Sequence, residues 1–167
     1  FVNLIYFSIF ISLIITFLGI TFSENIFILM ASSNEVIKLG LDYTDIIYAG
    51  SIIFILVVAF NSLLHAEGDT KTYRNALIFS FFLNMLLNPI FIFGFFFIPA
   101  FGVKGIGIAT LISQIISLLI VFYKVVQNER IKEISKEYLG IKIGYIKNIF
   151  FQSMPISLAI CGYSIAS

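Results

Sequence analysis

The stretch Asn75–Val103, NALIFSFFLNMLLNPIFIFGFFFIPAFGV, runs from Arg74 to Lys104 without a single Lys, Arg, Asp or Glu between them. At ~1.5 Å of rise per residue, about 20 apolar residues of helix cross the ~30 Å hydrocarbon core of a bilayer, and this stretch exceeds that length. Working outward from it, four more uncharged runs appear at Phe1–Ser23, Ile46–Leu64, Gly105–Tyr123 and Asn148–Ser167, and almost all charge lies between them. The chain is 60% hydrophobic and 11% charged, whereas soluble domains carry about 25% charged residues. The fold class this predicts is all-α, a polytopic helical membrane protein. The net charge is only +1, its bases are unevenly placed among the connectors, and no footprint for nucleic acid is present. Cys161 is the only cysteine, so neither a disulfide framework nor a cysteine metal cluster can be built.

The first span, Leu4 to Phe22, places Ser8, Ser12 and Thr16 four apart on one stripe, which predicts hydroxyls facing another helix. Ser33 or Asn34 is the expected N-cap of a second helix that starts amphipathically, with Asp42 and Asp45, and continues apolar through Leu64. The octet His65-Ala66-Glu67-Gly68-Asp69-Thr70-Lys71-Thr72 then reads as a tight turn between helices. Gly68 can take the positive φ that closes one helix, and Asp69 or Thr70 can cap the next. The third span, Tyr73 to Phe97, carries Asn84, Asn88 and Pro89 near its centre, and a kink is expected at Pro89. The fourth begins with Gly105, Gly107 and Ala109, small residues that allow close approach of a partner helix, and ends near Tyr123. A polar connector, 124–147, leads through an amphipathic entry at Tyr145–Phe150 to a fifth span around Pro155. The chain opens and stops inside apolar runs, and Phe1 is preceded by no basic leader, so it reads as an excerpt rather than as a signal peptide followed by a domain.

Lys71 and Arg74 lie in the second connector and Lys124, Arg130, Lys132, Lys136, Lys142 and Lys147 in the fourth, against Lys38 and Lys104 in the first and third. The positive-inside rule therefore makes connectors 65–74 and 124–147 cytoplasmic.

The run Ala66-Glu67-Gly68-Asp69-Thr70-Lys71-Thr72, then Asn84-x-x-x-Asn88-Pro89-x-x-Ile92-Phe93-Gly94, then Gly102-Val103-x-Gly105-x-x-x-Ala109-Thr110-x-x-Ser113-Gln114, resembles the multidrug and toxic compound extrusion (MATE) transporters. Members of that family have twelve spans in two bundles, so the resemblance implies spans three to six of the amino-terminal bundle in residues 1–123. It further implies a cytoplasmic connector at 124–147 and the start of the first helix of the carboxy-terminal bundle at 148–167. The implied function is a secondary antiporter of the plasma or inner membrane, not an enzyme, exporting organic cations or amphipathic drugs in exchange for Na⁺ or H⁺ by alternating access. Its implied partners are membrane lipid, these small molecules and the remaining spans of the same transporter, with no cofactor beyond the coupling ion. Asn84, Asn88 and Thr110 match positions associated with the family's ion site, and Asn61 on the fourth family span is a further candidate. Asn88 stands where the motif commonly has Asp, so a titrating carboxylate is missing there, although an amide can still offer an oxygen to Na⁺.

Read as residues alone, Asn84 and Asn88 share a helix face at membrane depth and must have partners. An interhelical hydrogen bond and an ion-binding role both satisfy that demand, and the two can coexist. Thr110 by itself reads as packing or as bonded back to its own helix. Asp42 and Asp45 read as solvated at the outer interface, and Glu67, Asp69 and Lys71 as caps and cross-links of the turn. His65 has no second histidine, so no metal site is expected beyond one for Na⁺. Gly105-x-Gly107 follows no strand and is not a dinucleotide loop. The competing readings are a lipid-linked saccharide flippase, which would want bases inside the spans, and a membrane anchor or subunit without transport. An intramembrane enzyme would need paired acids or a nucleophile with its base, and the spans offer neither.

Overall fold

A computed structural model of the chain describes residues 2–30 and 33–130. They form five helices: α1 (Val2–Leu29), α2 (Asn34–Ala49), α3 (Ser51–Ala66), α4 (Lys71–Phe93) and α5 (Val103–Gln127). Among the described residues, α1, α4 and α5 are each long and apolar enough to cross a membrane, and α2 and α3, bent by 47° at their junction, pass the same test only together, as one broken span. The rest of the expected connector, 131–147, and the expected fifth span, 148–167, lie outside the described residues.

The pattern of burial is that of a protein whose solvent is lipid. Ser8, Ser12, Ser51, Ser80, Ser113 and Ser117 are buried, as are Ala59, Ala76 and Ala109, while Phe10, Phe17, Phe81, Leu86 and Phe93 face outward. Lipid tails are as apolar as Leu, so nothing drives large apolar side chains inward, and helices gain instead by close contact through small residues. A compact apolar cluster does form where α3, α4 and α5 meet, from Phe60, Leu64, Ala76, Val121 and Val125. It anchors the α3–α4 turn against the end of α5.

The second span is not the single helix that its uninterrupted apolarity suggests. It breaks at Gly50, which is buried, and a Cβ there would sit 2.2 Å from Leu111 Cδ2 on α5. The Leu111 side chain thus packs directly over the Gly50 backbone, and a larger residue there would have to displace it. A Gly in a helix interior costs about 1 kcal/mol relative to Ala, which makes it a natural place for the chain to turn. Ser33 caps α2 as expected, its Oγ accepting from Val36 N–H.

The α3–α4 turn forms as the octet predicts. Gly68 has φ +82° with open space around it. Of the two expected caps, Asp69 performs the role: its Oδ1 accepts from the N–H groups of Lys71 and Thr72, and its Oδ2 accepts from the Thr72 hydroxyl. Thr70 makes no side-chain capping bond. Glu67 reaches Arg130 beyond α5, at 3.7 Å, and not Lys71.

At the other end, α4 runs through Pro89 and stops at Phe93, short of the Phe97 that apolarity alone suggests. A tight turn with paired bonds between Phe95 and Ile98 follows, and the chain returns so that Phe101 N–H reaches Phe91 O and Gly102 N–H reaches Ile92 O. These bonds satisfy carbonyls that the helix end would otherwise leave orphaned. Gly105 makes this return fit, since a Cβ there would lie 2.4 Å from Phe91 O.

Candidate functional site between α4 and α5

Ser80, Asn84 and Asn88 follow one another at i, i+4 along α4, on the side that meets α5. Asn88 Nδ2 donates to Asn84 Oδ1 at 2.9 Å, and Asn84 Nδ2 donates to Thr110 Oγ1 at 3.2 Å. Thr110 in turn donates to Ile106 O within its own helix at 2.8 Å. The chain of donors thus runs in one direction, from Asn88 to the α5 backbone. Its far end, Asn88 Oδ1, is buried and accepts no hydrogen bond. Desolvating an amide oxygen without a partner costs a few kcal/mol, so this oxygen is a standing acceptor for a donor or a cation.

One turn away, Ser80 Oγ donates to Ser113 O at 2.7 Å, and Ser113 Oγ donates to Ala109 O. Ser80, Asn84, Thr110, Ser113 and Gln114 border a cleft of about 260 Å³ whose lining is completed by Leu77 and Phe81. Asn84, Asn88 and Thr110 are therefore brought together, as the sequence motif implies. Asn61 is not: it lies on α3, shares no hydrogen bond with the other three and does not border the cleft. Its Oδ1 is nonetheless buried without a partner. In the sequence, Ser80 was not singled out, and Ser113 and Gln114 were quoted only as part of the motif, not as part of a polar seam. The signal was present, because Ser80 continues the Asn84–Asn88 stripe and Ser113 lies three residues beyond Thr110.

Outside the spans, the structure perturbs the ionisation of Asp69. The Thr72 hydroxyl, then the N–H groups of Thr72 and Lys71 and the charge of Lys124, hold its carboxyl below the usual carboxylate range. Asp42, read as solvated, instead pairs with Lys104 at 3.3 Å, linking α2 to the start of α5.

The sequence model of the MatE family matches residues 1–90, more than half of the chain. The chain belongs to the MatE family. Among relatives of this MatE chain, the probable multidrug resistance protein YoeA of Bacillus subtilis is 31% identical over 68% of the chain and 25% of its own length. The probable multidrug resistance protein NorM of Thermotoga maritima is 30% identical over 76% of the chain and 27% of its own length. A protein of Shewanella oneidensis named as an FAD transporter is 29% identical over 70% of the chain and 26% of its own length. A solved multidrug resistance MATE family transporter of the MOP superfamily, in an inward-facing conformation, superposes with a TM-score of 0.68 at 28% identity, covering 72% of the chain and 27% of that transporter. The chain thus spans about a quarter of the length of these relatives, and its fold is that of part of a MATE transporter.

Proposed function

We propose that the protein to which these helices belong is a secondary antiporter that exports organic cations or amphipathic drugs, with α4 and α5 supplying part of its coupling-ion site. The observation that carries this reading is the unpartnered, buried Oδ1 of Asn88 at the end of the amide chain through Asn84 to Thr110. Neutral oxygens at membrane depth are suited to Na⁺, a hard cation that prefers oxygen ligands. Because Asn does not titrate, these two helices hold no proton carrier at this place. Coupling to H⁺ would require an acid from outside α4 and α5. We place it as a multi-pass protein of the plasma or inner membrane, and the distribution of Lys and Arg supports a cytoplasmic side for 65–74 and 124–147.

The relatives named as multidrug resistance proteins support drug export, and the relative named as an FAD transporter supports a second substrate class, flat anionic dinucleotides. Efflux of a cationic dye and of FAD from vesicles holding the full-length protein, driven by a Na⁺ gradient or by a pH gradient, separates these readings. Dye efflux driven by Na⁺ and lost in Asn88→Leu, with the protein still inserted, is the expected result. Unchanged efflux in Asn88→Leu would remove Asn88 from the site.

A further inference from the structure

A second cleft, of about 450 Å³, opens between α4 and α5 at the end nearest the α3–α4 turn, and the ion-site reading leaves it unused. Its lining is divided along the helix axis. Thr72 and Asn75 from the start of α4, with Lys124 from the last turn of α5, border one end, and Ile116, Leu119 and Ile120 form the other. Tyr123, which also lines the cleft, directly precedes Lys124. Leu119 and Tyr123 are 59% and 62% exposed, so nothing among the described residues covers them. The distance from Ile116 to Lys124 along α5 is about 12 Å, most of the ~15 Å half-thickness of a bilayer's hydrocarbon. The polar end therefore falls where the spans reach the headgroups and the apolar end falls among acyl chains.

The charges at the polar end favour an anion. Lys71 and Arg74 are exposed on the first turn of α4, at the same end of the helix pair as Lys124, whose charge reaches Asp69 in the turn. Among the acids nearby, Glu67 is engaged with Arg130, and the Asp69 carboxylate is occupied by two N–H groups and a hydroxyl. An organic cation would meet Lys124 at the only polar end the cleft has.

We propose that this cleft seats one anionic phospholipid from the leaflet on the side of the α3–α4 turn. Its phosphate lies against Lys124 and Asn75, and one acyl chain lies along Ile120, Leu119 and Ile116. The proposal does not depend on the identity of the transported substrate or ion.

The test uses the full-length protein, purified from vesicles of equal phosphatidylglycerol and phosphatidylcholine with matched acyl chains, and native mass spectrometry to count retained lipids. The wild type is expected to retain phosphatidylglycerol preferentially. Lys124→Gln should lower that preference about fivefold, the size expected of one basic residue at an anionic surface, and Ile120→Trp should remove the bound lipid by filling the apolar end. A photoactivatable phosphatidylglycerol applied to the wild type supplies a second measurement that needs no variant. Cross-links on the peptide containing Ile116–Lys124 support the seat. Equal retention of the two lipids by the wild type, or cross-links that avoid this peptide, would overturn it, and the latter would mean that other spans of the transporter cover the cleft.

Discussion

The Thr16 hydroxyl donates to the main-chain carbonyl of Tyr48 across 2.8 Å, at the place where the second span breaks. Ser51, the first residue after the break, lies 2.8 Å from the same hydroxyl and 3.1 Å from Ser12 O. Two hydroxyl protons thus serve three close oxygen contacts, and α1 repairs the backbone that the turn at Gly50 disturbs. Removing the donor in Thr16→Val should destabilise the purified full-length protein by about 0.6–2 kcal/mol, the range for a hydrogen bond between membrane helices. Thermal unfolding in detergent measures this. Because the two hydroxyls share protons, Thr16→Val with Ser51→Ala should cost less than the sum of the single changes.

Two glycines that look alike in sequence should respond differently to alanine. At Gly105 a Cβ would meet the main-chain oxygen of Phe91 at 2.4 Å, and neither backbone can yield without parting α4 from α5. At Gly68 the Cβ would meet nothing, and the cost is only that of the left-handed conformation, about 1–2 kcal/mol. Gly105→Ala should therefore lower the yield of folded protein severely, while Gly68→Ala should insert and fold with a modest loss of thermal stability. Fluorescence-detected size exclusion of the two variants side by side compares them.

The Asp69 cap should make the α3–α4 turn sensitive to acid. Its carboxyl ionises below the ordinary value in the folded protein, chiefly through the Thr72 hydroxyl. A lowered folded pKa contributes stability that is fully present above the unfolded value of about 3.9 and is lost as pH falls through the lower folded value. Hydrogen exchange at the Lys71 and Thr72 amides should accordingly rise, relative to intrinsic rates, only at acid pH in the wild type. In Asp69→Ala it should be raised throughout, and it should no longer change with pH in that range.

The spans were legible in the sequence because a lipid solvent excludes charge over the whole length of a crossing helix, and runs of that length without charge are rare in chains that fold in water. The α3–α4 turn was legible because Gly68 and Asp69 act locally. The break at Gly50 was not. Gly50 lies in a run without charge, and the residue that packs over it, Leu111, is far away in sequence on α5. The end of α4 was legible in part: Gly94 and the pair Ile98-Pro99 signal an exit, but Phe95, Phe96 and Phe97 are as apolar as the helix and carried the expected span past Phe93, where they form the turn that lets the chain return. Within the site, Asn84, Asn88 and Thr110 stood out because amides are costly in lipid and Thr110 sits in a recognisable motif. Ser80 and Ser113 did not, because a serine can bond back to its own helix and reads as ordinary packing, even where it continues a polar stripe or, like Ser113, falls within the motif. The ion pair of Asp42 on α2 with Lys104 at the start of α5 joins residues far apart in sequence and has no local signature at all.

That ion pair joins α2 to the start of α5, yet its strength should be small. The Lys104 side chain is 53% exposed and that of Asp42 is 29% exposed, so water and salt screen the attraction. Pairs of this kind contribute about 0–1 kcal/mol. Asp42→Asn should shift the thermal midpoint of the full-length protein slightly at low salt and not at all near 1 M salt, where the Debye length is about 3 Å. A larger loss that persisted in high salt would mean that Asp42 acts by a route other than charge, through the packing of α2 against α5.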